Sequence, residues 1–334
     1  MSGVLRTRTS ITPALRDIQA PIQERLEQAA NDLQRIAVAD FPMLEEIGRY
    51  LLLMRGKMFR PTLTLLSSAV EGSPEPRATT VAATIELVHL ATLVDDDSVD
   101  HSVLRSGMPT LNALFSHQVS VIMGDYLYSR AMVELVRLGD LDVLRVMADA
   151  TNAMTVGEMR QLTSLDALAF SEVDYEALIR AKTASLLSAA CELGALAGAH
   201  RFRQALARYG MSLGMGFQVA DDLLDYTATE AETGKPTGAD LKEHKVTLPL
   251  IAALRTMSAR ARSEVDALFA APEPDDEQIR RVTEIVTDEG GIEYARRRAA
   301  DYAADAEEAL AGLPESPALI ALHDAIAYAV ERTN

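Results

Sequence analysis

Apolar residues recur along this chain at intervals of three and four, the spacing that lines one face of an α-helix. The strict alternation that a half-buried strand needs is hard to find. IQERLEQAANDLQRIA (22–37), DVLRVMADATNAMTVGEMRQL (142–162), EALIRAKTASLLSAACELGALAG (176–198) and GIEYARRRAADYAADAEEALAG (291–312) all carry that period and predict helices. TTVAATIELVHLATLVDD (79–96) is almost continuously apolar as far as Val94, which predicts a long buried helix rather than a surface one. Breakers fall between these stretches, in EGSPEP at 71–76, TGKPTGAD at 233–240, APEPDD at 271–276 and GLPESP at 312–317. No shift in composition marks a linker. The pattern therefore predicts one all-α domain of ten or more helices over 1–334, with residues 1–20 as a candidate flexible N-terminal segment.

Composition narrows the setting. Hydrophobic residues make up 48% of the chain, ample for a sizeable core. No apolar run reaches eighteen residues, and MSGVLRTRTSITPALRDIQ at the N-terminus lacks the apolar centre of a signal peptide. A cytoplasmic protein without an integral membrane segment is expected. The formal net charge of -17 speaks against nucleic acid or an anionic membrane as the main partner, because both recruit basic patches. Cys191 is the only cysteine and has no partner for a disulfide or a zinc site, so a buried small hydrophobe is its expected role.

Charge changes the picture most where the buried helix ends, in LVDDDSVDHSVLRSGMPT (93–110). Like charges at helical neighbour spacing repel by roughly a few tenths of a kcal/mol per pair, so something must offset them. Asp96 and Asp100 are four apart and share a face, and Asp97 leans beside them. FQVADDLLDY repeats this DDxxD pattern with Asp221, Asp222 and Asp225, again after an apolar helical run. A solvated helix end would explain one such cluster; two copies favour a metal site. Paired carboxylates suit Mg2+, a hard ion that keeps several waters and uses one or two carboxylates together with substrate phosphate oxygens. Neither cluster has the alternating acidic loop, central glycine and terminal glutamate of an EF-hand.

Seven ordered motifs then cover nearly the whole chain: RGKMFRP at 55–61, ELVHLATLVDDDSVDHSVLRSGMPT from 86, GDYL at 124, GEMRQL at 157, KTASLL at 182, GMGFQVADDLLDY from 214 and TGKPTGADLKEHKVTLPLI from 233. In this order they resemble the trans-isoprenyl diphosphate synthases, also called polyprenyl synthetases. The resemblance implies an isoprenoid-synthase-like helical bundle around a central cavity. It implies a prenyltransferase that condenses an allylic diphosphate with isopentenyl diphosphate after Mg2+-assisted ionisation, acting as a homodimer. Three Mg2+ ions are expected on Asp96, Asp97, Asp100, Asp221 and Asp222, with Asp225 nearby or bridged by water.

The basic residues take their expected roles from the same resemblance. Lys57, Arg60 and His89 correspond to the isopentenyl diphosphate anchor, and Arg60 can offer a bidentate fork to phosphate oxygens. Arg105, Lys182 and Lys235 correspond to cations around the allylic diphosphate, with Lys245 a secondary candidate. Thr183 and Gln218 would aim neutral oxygen dipoles at a developing cation, and with Lys182 form the catalytic set. Gln161 fits either a helix-interior contact or a partner of the metal ligands.

Two positions depart from the family pattern, which has His where Asp95 stands and a second Arg where Ser106 stands. The first adds a negative charge to the cluster, and the second removes a cation expected to help bind isopentenyl diphosphate. A terpene cyclase on the same fold, which would not need that substrate, is the rival reading. Lys57, Arg60 and His89 speak against it. A non-catalytic subunit of a heteromeric synthase is a third reading, opposed by the intact second aspartate motif. Product length is expected to follow Ala91, Thr92 and Val88, on the helix just before the first motif. Family members with short products carry bulky aromatics at the first two of these positions. Small residues here imply products of twenty carbons or more.

Overall fold

The computed structural model describes residues 13–38, 41–53, 56–105, 107–163, 167–227 and 238–330. Helices dominate, and the strands among the described residues are two short ones, Leu104–Arg105 and Met108–Pro109. They pair antiparallel with Leu104 opposite Pro109 and Arg105 opposite Met108. The fold is all-α, in line with the sequence pattern.

The predicted helices form with boundaries close to those expected. Gln23–Ala37 and Gly291–Leu310 bury their periodic apolar faces. Pro76 occupies the first turn of the Pro76–Val99 helix, where its missing N–H costs nothing, so EGSPEP is both stop and start signal. Asp275 and Gln278 form a reciprocal capping box at the end of APEPDD and start the Asp276–Asp288 helix. The stretch 176–198 is not one regular helix. It divides into Glu172–Ile179, a π-helical turn at Arg180–Ala184, and Ser185–Gly198. The expected flexible segment is helical from Leu15, and Ile18 is fully buried, so residues 15–20 belong to the bundle.

Two groups of buried side chains meet along the Arg203–Thr227 helix. Its first half, with Leu206, Tyr209 and Leu213, joins the larger core around Leu65, Ile85 and Leu187. The second half, with Met215, Val219 and Leu223, joins the smaller core around Leu250 and Ala295. Cys191 is fully buried, and burial pushes its thiol up to about 12, as the small-hydrophobe expectation requires. Pro76–Val99 is the one described helix long and apolar enough to cross a membrane, but 72% of its apolar window is buried inside the bundle. It is a core helix, apolar on all sides because it is surrounded.

Candidate active site

The surrounded helix Pro76–Val99 delivers the first acidic cluster to one end of the bundle. Its last turn closes when the Asp100 N–H donates to the Asp96 carbonyl at 2.8 Å. His101 then takes the left-handed conformation, with φ of 51°, and turns the chain into the short hairpin. The hairpin brings Arg105 back over the helix end. Its Nε lies 3.0 and 2.9 Å from the two Asp97 carboxylate oxygens and its Nη2 lies 2.9 Å from Oδ1. Tyr50 holds the other strand by donating to the Pro109 carbonyl at 2.6 Å.

Asp96 faces the π-helical turn. Lys182 Nζ stands 3.8 Å from Asp96 Oδ1 and 2.8 Å from Glu158 Oε2. Burial pushes the Asp96 carboxyl up to about 6; Lys182 opposes the shift, while Glu158 and Asp100 add to it. Asp95 points elsewhere, against the neighbouring His117–Leu138 helix at Gly124. A Cβ at Gly124 would stand 2.1 Å from Asp95 Oδ1, so the glycine of GDYL makes room for this carboxylate. Burial, then Asp125 and Asp96, push Asp95 up to about 6.

The second cluster ends the Arg203–Thr227 helix. Asp222 is 6% exposed, and burial pushes its carboxyl up to about 8. Gln218 Nε2 donates to its Oδ1 at 2.8 Å, and the Tyr175 hydroxyl donates to its Oδ2. Thr183 Oγ1 donates to Gln218 Oε1 at 2.7 Å, so Thr183, Gln218 and Asp222 form one string. Asp221 is exposed beside them. Asp225 also makes contacts that its motif does not announce. Its two carboxylate oxygens accept the Ala239 and Asp240 N–H groups at 3.0 and 2.9 Å, and its carbonyl accepts that of Gly238. It tethers the segment that leads to Lys245, whose Nζ pairs with Glu243.

A cationic corner stands behind the first cluster. Met58, with φ of 55°, precedes the Phe59–Ser68 helix and sets Arg60 in its first turn. Burial lowers the Arg60 guanidinium, partly offset by Glu86, and its Nε has no hydrogen-bond partner. Burial, then Arg60 and Arg105, hold His89 well below the usual imidazole range. Lys57 is exposed, its Nζ 6.0 Å from the Tyr328 ring centroid. Lys235 and Ser106 lie outside the described residues.

Of the proposed length-setting residues, Val88 and Ala91 are buried and Thr92 is half-buried, donating to the His89 carbonyl at 2.8 Å. Gln161 is half-buried and its Oε1 is unpartnered. The sequence reasoning missed Glu158 and Tyr175. Glu158 sits inside GEMRQL, and Tyr175 lies eight residues before Thr183, but no local pattern announces either contact.

No three His, Cys, Asp or Glu side chains among the described residues converge into a ready-made cage. A hard ion that shares its ligands with phosphate and water needs none. Asp96, Asp97, Asp100 and Glu158 outnumber Lys182 and Arg105 at the first cluster, and the donors offered are carboxylate oxygens. That set fits Mg2+.

The Polyprenyl synthetase family profile matches residues 41–286. The chain belongs to this family. It is 37% identical over 311 residues to the octaprenyl diphosphate synthase of Escherichia coli strain K12, covering 92% of this chain and 93% of that one. The crystal structure of a decaprenyl diphosphate synthase from Rhodobacter capsulatus superposes with a TM-score of 0.90 at 34% identity, covering 96% of this chain and all of that one. A polyprenyl synthase from Caulobacter crescentus CB15, solved with calcium and isoprenyl diphosphate, also gives 0.90 at 30% identity, covering 98% of this chain and 100% of the other. This polyprenyl synthetase is accordingly a trans-prenyltransferase with the isoprenoid-synthase fold.

Proposed function

We propose that the enzyme extends an allylic diphosphate with isopentenyl diphosphate into long trans-polyprenyl diphosphates, and that the residues above divide the work. The observation that carries this reading is the pair of links across the two aspartate helices, Lys182 to Asp96 on one side and Thr183 through Gln218 to Asp222 on the other. Asp96, Asp97, Asp100, Asp221 and Asp222 would hold Mg2+, three ions by family resemblance. When bound, Mg2+ supplies Lewis-acid neutralisation of the diphosphate leaving group.

The chain's own groups do the rest. Arg105, Lys182, Lys235 and Lys245 bind the allylic diphosphate, and Lys57, Arg60 and His89 orient isopentenyl diphosphate. The allylic C–O bond breaks with its electron pair going to diphosphate, and the isopentenyl double bond attacks the allylic carbon. A proton then leaves to the released diphosphate. Thr183 and Gln218 present oxygens near the developing cation without acting as nucleophiles. The octaprenyl and decaprenyl names of the relatives support products well beyond twenty carbons.

A homodimer is proposed on the exposed apolar side chains of two consecutive helices, His117–Leu138 and Leu141–Thr163. Val121, Ile122, Val133, Val136, Met159 and Leu162 face outward there, as a surface made for a second copy would. The acidic composition and single buried cysteine support a cytoplasmic location.

Incubation with Mg2+ and an allylic diphosphate, with and without isopentenyl diphosphate, tests the activity. Longer diphosphates formed only with isopentenyl diphosphate support it. Cyclic hydrocarbon formed without it would make the chain a cyclase, and no product from an ion-loaded, folded protein would make it a non-catalytic subunit.

A further inference from the structure

The π-helical turn at Arg180–Ala184 has a geometric consequence for the second aspartate cluster. In a regular α-helix the eight residues from Tyr175 to Thr183 advance by about 800°, roughly 80° past two full turns, and the two side chains would face different neighbours. The π-turn begins at Arg180 and contains Thr183, and its wider turns shorten that advance and bring the two side chains closer to the same phase. Tyr175 and Thr183 therefore address the same helix, Arg203–Thr227, where they reach Asp222 and Gln218. Close packing fixes the turn in place. A Cβ at Gly157 would stand 2.7 Å from Ala181 Cβ, and one at Gly214 would stand 2.6 Å from Ala184 Cα.

Asp222 receives one neutral donor on each oxygen, Gln218 on Oδ1 and Tyr175 on Oδ2. Two such donors stop the carboxyl group from rotating, and each oxygen keeps a lone pair that can face a cation. Gln218 is itself oriented by Thr183, whereas Tyr175 is 2% exposed and stands outside the string of proposed catalytic groups. We infer that Tyr175 is a positioning residue, whose hydroxyl sets the orientation in which Asp222 meets its metal ion. This rests on the metal-dependent reading above.

Partners of this kind behind a metal ligand are worth roughly tenfold to a hundredfold in metal affinity. Tyr175→Phe keeps the ring and deletes only the hydroxyl. Mn2+ binding in the presence of inorganic pyrophosphate, read by calorimetry, should weaken at least about tenfold. Turnover should fall with it, while the KM for isopentenyl diphosphate, which other residues anchor, stays within about a factor of two. A lowered melting temperature with Mn2+ affinity intact would reduce Tyr175 to a packing residue and overturn the inference.

Should Tyr175→Phe not fold, 3-fluorotyrosine at position 175 retains the hydroxyl and reports directly. Its fluorine resonance should move when Mg2+ and pyrophosphate are added together, and an unmoved resonance in a protein that binds both would overturn the inference. A parent protein that binds no Mn2+ with pyrophosphate would instead overturn the metal-dependent reading, and Tyr175's role with it.

Discussion

Single residues at this site serve partners that sequence spacing reveals only in part. Asp96, Asp97 and Asp222 are legible because two DDxxD patterns end two apolar runs, and Lys182 and Arg105 are legible from their motifs. What each carboxylate touches is not, because the partners come from other helices. Asp225 shows the limit most clearly: its carboxylate also accepts backbone N–H groups fourteen and fifteen positions on, contacts that the motif does not announce. At the first cluster four carboxylates, Asp96, Asp97, Asp100 and Glu158, face two cations, and their mutual repulsion costs the fold electrostatic energy. Asp96→Ala should therefore lower turnover by roughly a hundredfold or more, through loss of a metal ligand. The metal-free protein should be at least as stable as its parent, because one source of like-charge repulsion is gone and Glu158 still holds Lys182. Steady-state kinetics beside a thermal melt check both halves, and near-normal turnover would remove Asp96 from the metal site.

Elements are legible in the sequence wherever a helix is long and periodic, and obscure wherever function depends on a local irregularity. The apolar period of 176–198 runs straight through the π-turn, so the sequence hides the one feature that brings Tyr175 and Thr183 into phase. The hairpin at Leu104–Pro109 is too short to show alternation, yet it returns Arg105 to Asp97. A third irregularity recurs. The described non-glycine residues with positive φ are Met58, His101 and His244, and each lies in a segment carrying a proposed substrate motif. Left-handed backbone costs an L-residue roughly 1–2 kcal/mol, and such strain gathers where chain direction must change sharply at a site. His101 is exposed, so its side chain contributes little packing. His101→Gly should relieve part of that strain and raise stability by about 1 kcal/mol, read as a higher urea midpoint at unchanged slope. A lower midpoint would mean that the ring, 6.0 Å from that of His117, contributes more than the backbone loses.

At the scale of the whole molecule, the surrounded helix that carries the first acidic cluster is the proposed wall of the product's path. On this proposal the growing tail leaves the diphosphate site away from the charged end, along Pro76–Val99, which extends about 30 Å from Asp96 back to Pro76 at 1.5 Å per residue. Thr92 and Ala91 lie about 6 and 7.5 Å along it, and Val88 about 12 Å. None of these side chains is large enough to stop an isoprene unit. The parent should accordingly release products of twenty carbons or more, and Ala91→Phe should shorten them by placing a ring across the path. Ala91 is 2% exposed, which offers a competing reason for its size: a neighbouring helix packs against it. The two reasons diverge under the same substitution. If the alanine borders the tail's path, the products shorten in mass spectra while the fold tolerates the ring. If it borders only another helix, overpacking lowers stability by roughly 1–3 kcal/mol and the product lengths stay as they were. A parent that stops at fifteen carbons, or a folded Ala91→Phe enzyme with an unchanged product profile, would move the control of length away from this helix.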